Sequence, residues 1–463
     1  MQTEADCLYE YRNKETEKDK KIALCYGDIN TLVVLEGFLG VLGGEEGGLV
    51  YEVKPCKPCP PSKIEWFMDW SQTMKKLNLS KKTLVYENQR KCALEVLDGI
   101  QKGFLFQLVL AQTQSGKTGM MVTVAEGCKK DVVVMSGLSN IDWKKQTIRR
   151  FSEKVPVYHR NDLKNVKKLE HCVVLIDEVQ YASGAGMTLD GLLEDCGCKD
   201  IETLRQLNVH FVLVSATPNR IYDDLCELSS EWCRHLVMQP GDGYTGLQEL
   251  LQSGRLREAK DLWVAGAVGD DENAGVKRFN EKMISKSLEA IEELKDVVTS
   301  YKDPKYHIVR TQYAAAGEEV RERFKTVFLD SVDFVVCDST TGVGVMEKVK
   351  VKPARQCVLF IKEQLRCAAT LVKTHIGVLY DRVSKLDNVM VQGLAGRSTG
   401  YDVPECLVVF SDVKSIQRYL AVVEEGFESM QGLKCSGEVT MMHREGFVVD
   451  DGSTVVSEVA SVA

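Results

Sequence analysis

From Tyr86 onward the chain alternates short, almost continuous apolar runs with longer stretches of helical spacing. In the first part the runs are FQLVLA (Phe106–Ala111), DVVVMS (Asp131–Ser136), CVVLID (Cys172–Asp177) and HFVLVSA (His210–Ala216). Apolarity this continuous fits central strands covered on both faces, and its alternation with helical stretches predicts βαβ units and a parallel sheet. Around 239–300 the strand pattern stops. GRLREAKDLW and EKMISKSLEAIEELKDVV are predicted helices, with GAVGDDENAG (Gly266–Gly275) as a loop between them. Strand-like runs then resume as YHIVRT, DFVVCD, CVLFIK, HIGVLY and CLVVFSD. The expected layout is an α/β half over 86–240, a helical connector over 241–300 and a second α/β half over 301–427. Residues 428–463 lose the rhythm and form a mildly acidic tail. Residues 1–85 read as a small accessory region punctuated by GGEEGG (Gly43–Gly48) and the Pro-rich Lys54–Lys63, with a helix expected over Trp66–Leu77.

Composition narrows the function classes. A length of 463 residues allows two to four domains, and 44% apolar residues suffice for sizeable cores, which excludes disordered and collagen-like chains. No apolar run reaches the ~18 residues of a membrane span. The charged N-terminus has no apolar core of a secretory signal. The sixteen cysteines stand mostly alone, many in apolar stretches, and read as reduced, buried thiols of a cytosolic or nuclear protein. A net charge of −8 argues against a protein that coats DNA by bulk electrostatics, and leaves room for a localised basic groove.

The strand FQLVLA runs directly into AQTQSGKT, so that Ala111, Gln112, Thr113, Gln114, Ser115, Gly116, Lys117 and Thr118 fit a phosphate loop with Ala111 in place of the usual first glycine. A tight strand-to-helix turn aims backbone N–H groups at a phosphate, and the helix N-terminus adds partial positive charge. Lys117 would reach the β/γ-phosphates and the Thr118 hydroxyl would ligate Mg²⁺. About 60 residues on, CVVLIDEVQ closes a second buried strand with Asp177 and Glu178. A carboxylate there, beside the phosphate-loop strand, can hold Mg²⁺ through water, and its neighbour can polarise the attacking water.

These two motifs, followed by Ser215-Ala216-Thr217-Pro218 at the end of HFVLVSATP, resemble the helicases and translocases of superfamily 2, most of all the compact DExx-box helicases of phages and large DNA viruses. The resemblance spans about residues 85–425. It implies two RecA-like parallel-sheet domains in tandem, ATP and Mg²⁺ in the cleft between them, and DNA or RNA across both. Carried over residue by residue, it makes Gln89 the adenine-reading glutamine, the alternative being an exposed helix residue. Ser215, Ala216 and Thr217 would couple hydrolysis to nucleic-acid contacts. Ser136, Gly137, Arg149 and Arg150 would meet phosphates, whereas Trp143 reads first as core. Arg310 and Thr311 would face the nucleic acid, with Lys362 and Arg366 standing loosely for the fifth motif, whose Thr-x-Gly pattern is missing. NVMVQGLAGRSTGYD resembles the sixth motif, with Gln392 and with Arg397 as an arginine finger. The family commonly has a second arginine three residues on, where this chain has Gly400; Arg397 then acts alone or with Arg366 or Arg382.

Cys56-x2-Cys59 has zinc-knuckle spacing without a second pair, and Cys196 and Cys198 lie too close for a tetrahedral site, so zinc is not expected. No HExxH or nuclease centre is visible. The leading expectation is therefore a nucleic-acid-stimulated ATPase acting as a helicase, with residues 1–85 free to engage a protein partner. A duplex translocase that does not unwind and a catalytically silent scaffold are the competing readings.

Overall fold

The computed structural model describes residues 85–435 apart from 199, 219, 263–273, 312–313, 338–343, 363 and 366–369, together with three N-terminal strands. Those strands, β1 (Cys7–Asn13), β2 (Asp19–Leu24) and β3 (Tyr51–Pro55), form an antiparallel sheet in the order β2-β1-β3. The helix expected over Trp66–Leu77, the Cys56/Cys59 pair and the tail beyond 435 lie outside the described residues.

The first large sheet holds β4 (Phe106–Ala111), β5 (Asp131–Ser136), β6 (Val157–Tyr158), β7 (Cys172–Asp177), β8 (His210–Ser215) and β9 (Cys233–Met238). Their order is β6-β5-β7-β8-β4-β9, and every neighbouring pair is parallel. All residues of β4, β7 and β8 are buried, as central strands covered on both faces must be. β8 stands between β4 and β7, so the carboxylate strand is one strand removed from the phosphate-loop strand rather than beside it. The register pairs Leu110 with Ser215 and Asp177 with Val214, which brings the C-terminal ends of all three to one edge. Open parallel sheets bind ligands at such an edge.

The second sheet holds β10 (Leu256–Glu258), β11 (Tyr306–Arg310), β12 (Asp333–Cys337), β13 (Cys357–Ile361), β14 (Ile376–Tyr380) and β15 (Val408–Ser411), in the order β10-β15-β14-β11-β13-β12 and again parallel throughout. The expected fold class, two parallel-sheet α/β domains in tandem, is the one observed. One element differs. GRLREAKDLW was expected to be helical, yet Leu256–Glu258 pairs with Val409–Ser411 as an edge strand. Only Leu256 of the three is buried, so charged residues at an exposed edge imitate a helix surface. The helix predicted over EKMISKSLEAIEELKDVV is present within Ala274–Ser300.

Candidate functional site

Ala111 closes β4, Gln112–Gly116 make the turn, and Lys117 and Thr118 open the helix Lys117–Gly127. Two residues of the turn have left-handed backbone. Gly116 caps the helix at φ 102°, where a glycine meets no Cβ penalty, and Gln114 holds φ 54°, a conformation that favours glycine. Gln89, in the helix Glu87–Lys102, is buried rather than exposed. A Cβ at Gly116 or Gly119 would collide with its amide, so both glycines are needed for Gln89 to sit against the phosphate loop.

The loop is also held from the far side of the site. The Tyr244 hydroxyl donates to the Thr113 carbonyl at 2.6 Å, and the Tyr401 hydroxyl donates to that of Ser115 at 3.1 Å. The Thr399 hydroxyl lies 2.9 Å from the Thr113 carbonyl and 3.1 Å from the Thr113 hydroxyl. Tyr401 accepts in turn from the Gly241 N–H at 2.9 Å, and Thr245 and Gly400 exchange backbone bonds. With these carbonyls anchored, the N–H groups of Lys117 and Thr118 at the helix start can face an anion, whereas that of Gly119 donates to the Gly116 carbonyl at 2.9 Å.

Asp177 and Glu178 sit at the end of β7, both buried. Glu178 takes a left-handed conformation at φ 52°, its N–H donating to the Val214 carbonyl at 3.0 Å. Asp177 Oδ2 accepts from Trp143 Nε1 at 2.9 Å, so the tryptophan read as core also orients a site carboxylate. Burial, and then the Glu178 charge, push the Asp177 pKa above the usual carboxylate range, while Lys117 and the Trp143 bond oppose this. Its buried Oδ1 has no hydrogen-bond partner among the described residues. An orphaned carboxylate oxygen beside Lys117, with the Thr118 hydroxyl at the helix start, fits the oxygen ligands Mg²⁺ prefers.

From Glu178 a line of hydrogen bonds leads to the second half. Gln180 Nε2 donates to Glu178 Oε2 at 2.7 Å, and the Ser215 hydroxyl donates to Gln180 Oε1 at 2.8 Å. The Thr217 N–H donates to Ser215 Oγ at 3.0 Å, and Gln392 Nε2 donates to Thr217 Oγ1 at 2.6 Å. Ala216, between them, is fully buried. Arg397 closes the short helix Leu394–Arg397, is buried, and its carbonyl accepts from Gln114 Nε2 at 3.5 Å. The structure therefore assembles Gln89, the loop 111–118, Asp177, Glu178, Ser215, Thr217, Gln392 and Arg397 in one region.

It buries most of the expected nucleic-acid residues among those described. Ser136 is buried, and a Cβ at Gly137 would meet the Glu178 carbonyl at 2.7 Å, so this pair supports the carboxylate turn instead. Arg310 is buried in an ion pair with Asp381 at 3.1 Å and also donates to the Gln364 and Leu365 carbonyls. Thr311 is buried with its N–H on the Ile361 carbonyl. Arg310 is thus held inside the second half by charge pairing and carbonyl bonds, and removing one partner of such a buried pair costs ~3–5 kcal/mol. Arg149 is exposed and Lys362 half-buried, while Arg366 lies outside the described residues. Sequence reasoning passed over Gln180, Tyr244, Thr399, Tyr401 and Lys373, which the structure brings to the site.

No protein-family model matches the chain, and no curated protein matches it. Among solved structures it is similar to the Escherichia coli DEAH/RHA helicase HrpB, at 13% identity and a TM-score of 0.44 over 71% of this chain and 43% of that one. It thus spans less than half the length of HrpB. It is also similar to S. cerevisiae Dbp5 bound to RNA and ADP BeF3, at 11% identity and a TM-score of 0.38 over 77% of this chain and 94% of that one. A second Dbp5 structure, bound to Gle1 and IP6, matches at 13% and 0.34 over 75% and 92%.

Among the described residues no helix is long and apolar enough to cross a membrane.

Proposed function

We propose that this chain is an ATP-dependent helicase of superfamily 2 type, in which ATP hydrolysis between two RecA-like domains drives movement along, and unwinding of, DNA or RNA. The observation that carries the reading is the line of hydrogen bonds from Glu178 through Gln180, Ser215 and Thr217 to Gln392. A buried carboxylate beside a phosphate loop is thereby tied to a residue more than 200 positions away in the other half.

In this reading the N–H groups of 116–118 and the Lys117 ammonium bind and neutralise phosphate oxygens. Gln89 packs the loop and reads the base edge. Asp177 and the Thr118 hydroxyl would hold Mg²⁺, which would supply further charge neutralisation at the phosphates. Glu178 orients the attacking water and accepts its proton at a carboxylate oxygen. Arg397 offers a planar guanidinium from the second half to charge that develops in the transition state. Closing and opening of the two halves would shift the grip on a strand, with Arg149 and Lys362 as phosphate contacts and residues 1–85 as a site for a protein partner.

The test is steady-state ATP hydrolysis by the full chain with single- and double-stranded DNA and RNA, beside Lys117→Ala. The wild type should turn over ATP, faster with one class of polymer, and Lys117→Ala should lose roughly 10²–10³-fold with an unchanged melting temperature. Near-normal turnover in that folded variant removes the phosphate-loop assignment. Stimulation by duplex alone would favour translocation without unwinding, and no turnover with any polymer would favour a scaffold.

A further inference from the structure

We propose that Lys373 is a second cation of the nucleotide site, carried by the second half of the chain to the terminal phosphate held at the loop Ala111–Thr118. The proposal rests on the nucleotide reading above. Lys373 precedes β14, and its side chain is fully buried. Its Nζ donates to Asp402 Oδ1 at 2.6 Å and to Gln114 Oε1 at 3.2 Å. Gln114 belongs to the phosphate loop, so the ammonium crosses from one half to reach the anion-binding turn of the other. An ammonium has three donors, of which Asp402 and Gln114 take two.

Local shape supports this. Gly400 has φ 124°, and a Cβ there would lie 3.4 Å from Gln114 Oε1 and 3.5 Å from both Lys373 Nζ and Asp402 Oδ1. At Gly400 the chain presents no side chain, and Lys373 fills the neighbourhood from elsewhere. Electrostatics point the same way. Burial lowers the Lys373 pKa, the Asp402 carboxylate opposes that, and Arg397 is close enough to disfavour its charge. Asp402 is 62% exposed, so its hold on Lys373 is screened. The Gln114 amide oxygen is a neutral acceptor, and a phosphate oxygen at the same ammonium makes the stronger, charge-assisted bond.

The alternative is a lysine that only fastens the two halves together. Equilibrium binding separates the two, using a non-hydrolysable ATP analogue and ADP with the full chain, Lys373→Met, Lys373→Arg and Asp402→Asn, each checked by thermal melting. Loss of a charge-assisted bond should weaken the analogue about tenfold or more in Lys373→Met, leave ADP within about twofold, and be largely restored by arginine. Asp402→Asn, by removing the competing carboxylate, should tighten the analogue about threefold and leave ADP unchanged. If Lys373→Met weakens both nucleotides alike, or neither, Lys373 is a fastener and the proposal is overturned. Should Lys373→Met not fold, Asp402→Asn decides, and the absence of triphosphate-selective tightening overturns it. A wild type that binds neither nucleotide removes the nucleotide reading and this proposal together.

Discussion

The two six-stranded sheets have the same parallel construction, yet they deliver functional groups in different ways. In the first, β4, β7 and β8 each run straight into the proposed site residues with no gap: Gln112–Thr118 after Ala111, Glu178 directly after Asp177 at the end of β7, Ala216 and Thr217 directly after Ser215 at the end of β8. In the second, the groups that reach the site come from segments beside the strands. Lys373 precedes β14, while Gln392, Arg397, Thr399 and Tyr401 lie between β14 and β15. The first half can build its part of the site by local folding. The second half contributes only through contacts such as Gln392 to Thr217 and Lys373 to Gln114, at separations of 175 and 259 residues. A change in the first half should therefore remove chemistry, and a change in the second should remove its completion.

The largest expected effect tests the first half. Glu178→Gln keeps the size of the side chain and loses the charge that accepts a proton, so turnover should fall roughly 10²–10⁴-fold while nucleotide binding persists. The variant should hold nucleotide and nucleic acid together longer than the wild type does. Single-turnover hydrolysis and nucleotide binding on one preparation check this, and failure to bind nucleotide would give Glu178 a structural role.

Next comes the second half. Arg397→Ala should reduce nucleic-acid-stimulated turnover by about 10³-fold and leave nucleotide affinity nearly unchanged. Lysine should not rescue it, because a compact ammonium cannot reproduce the planar fork. The same changes at Arg366 and Arg382 are the controls. Wild-type turnover in Arg397 variants, with loss at one of the others, would move the finger to the preceding segment and break the contrast between the halves.

How much of this was legible in the sequence follows the same division. β4, β7, β8, β11, β13 and β14 could be read because burial on both faces demands unbroken apolar runs, and HFVLVSATP or CVVLIDEVQ carries strand and chemistry together. β10 and β6 could not, since three or two residues have no period to detect. β9, with Arg234 and His235 at a sheet edge, lacks the apolar run of a central strand. Gln180 was within reach, two residues after Glu178 in a stretch already marked. Trp143 was ambiguous because one indole both packs and donates. Lys373 was not legible at all. In LVKTHIGVLY it looks like a solvated residue before a strand, and only the fold reveals a buried ammonium at the phosphate loop. Arg310 runs in the opposite direction: the family resemblance implied a strand end facing nucleic acid, whereas Asp381 and two carbonyls hold its guanidinium inside.

The smallest predicted effect bears on the junction between the halves. Gln392 donates to Thr217 Oγ1 at 2.6 Å with both residues buried, so removing either leaves a polar group without its partner, at a cost of ~1–3 kcal/mol. If the line from Glu178 to Gln392 transmits closure, Gln392→Leu should lower the ratio of stimulated to unstimulated ATP turnover by about tenfold. Thr217→Val, which breaks the same bond from the other side while keeping its shape, should do likewise. The double variant should then be no worse than either single one, because residues in direct contact act through a shared interaction energy of ~0.5–3 kcal/mol. A double-mutant cycle on that ratio, with melting temperatures to correct for stability, measures this coupling. Additive losses would mean that the two residues serve their own halves independently. The hydrogen-bonded line would then be a packing feature, and coordination of the halves would have to run through the Thr399, Tyr401 and Lys373 contacts with the phosphate loop.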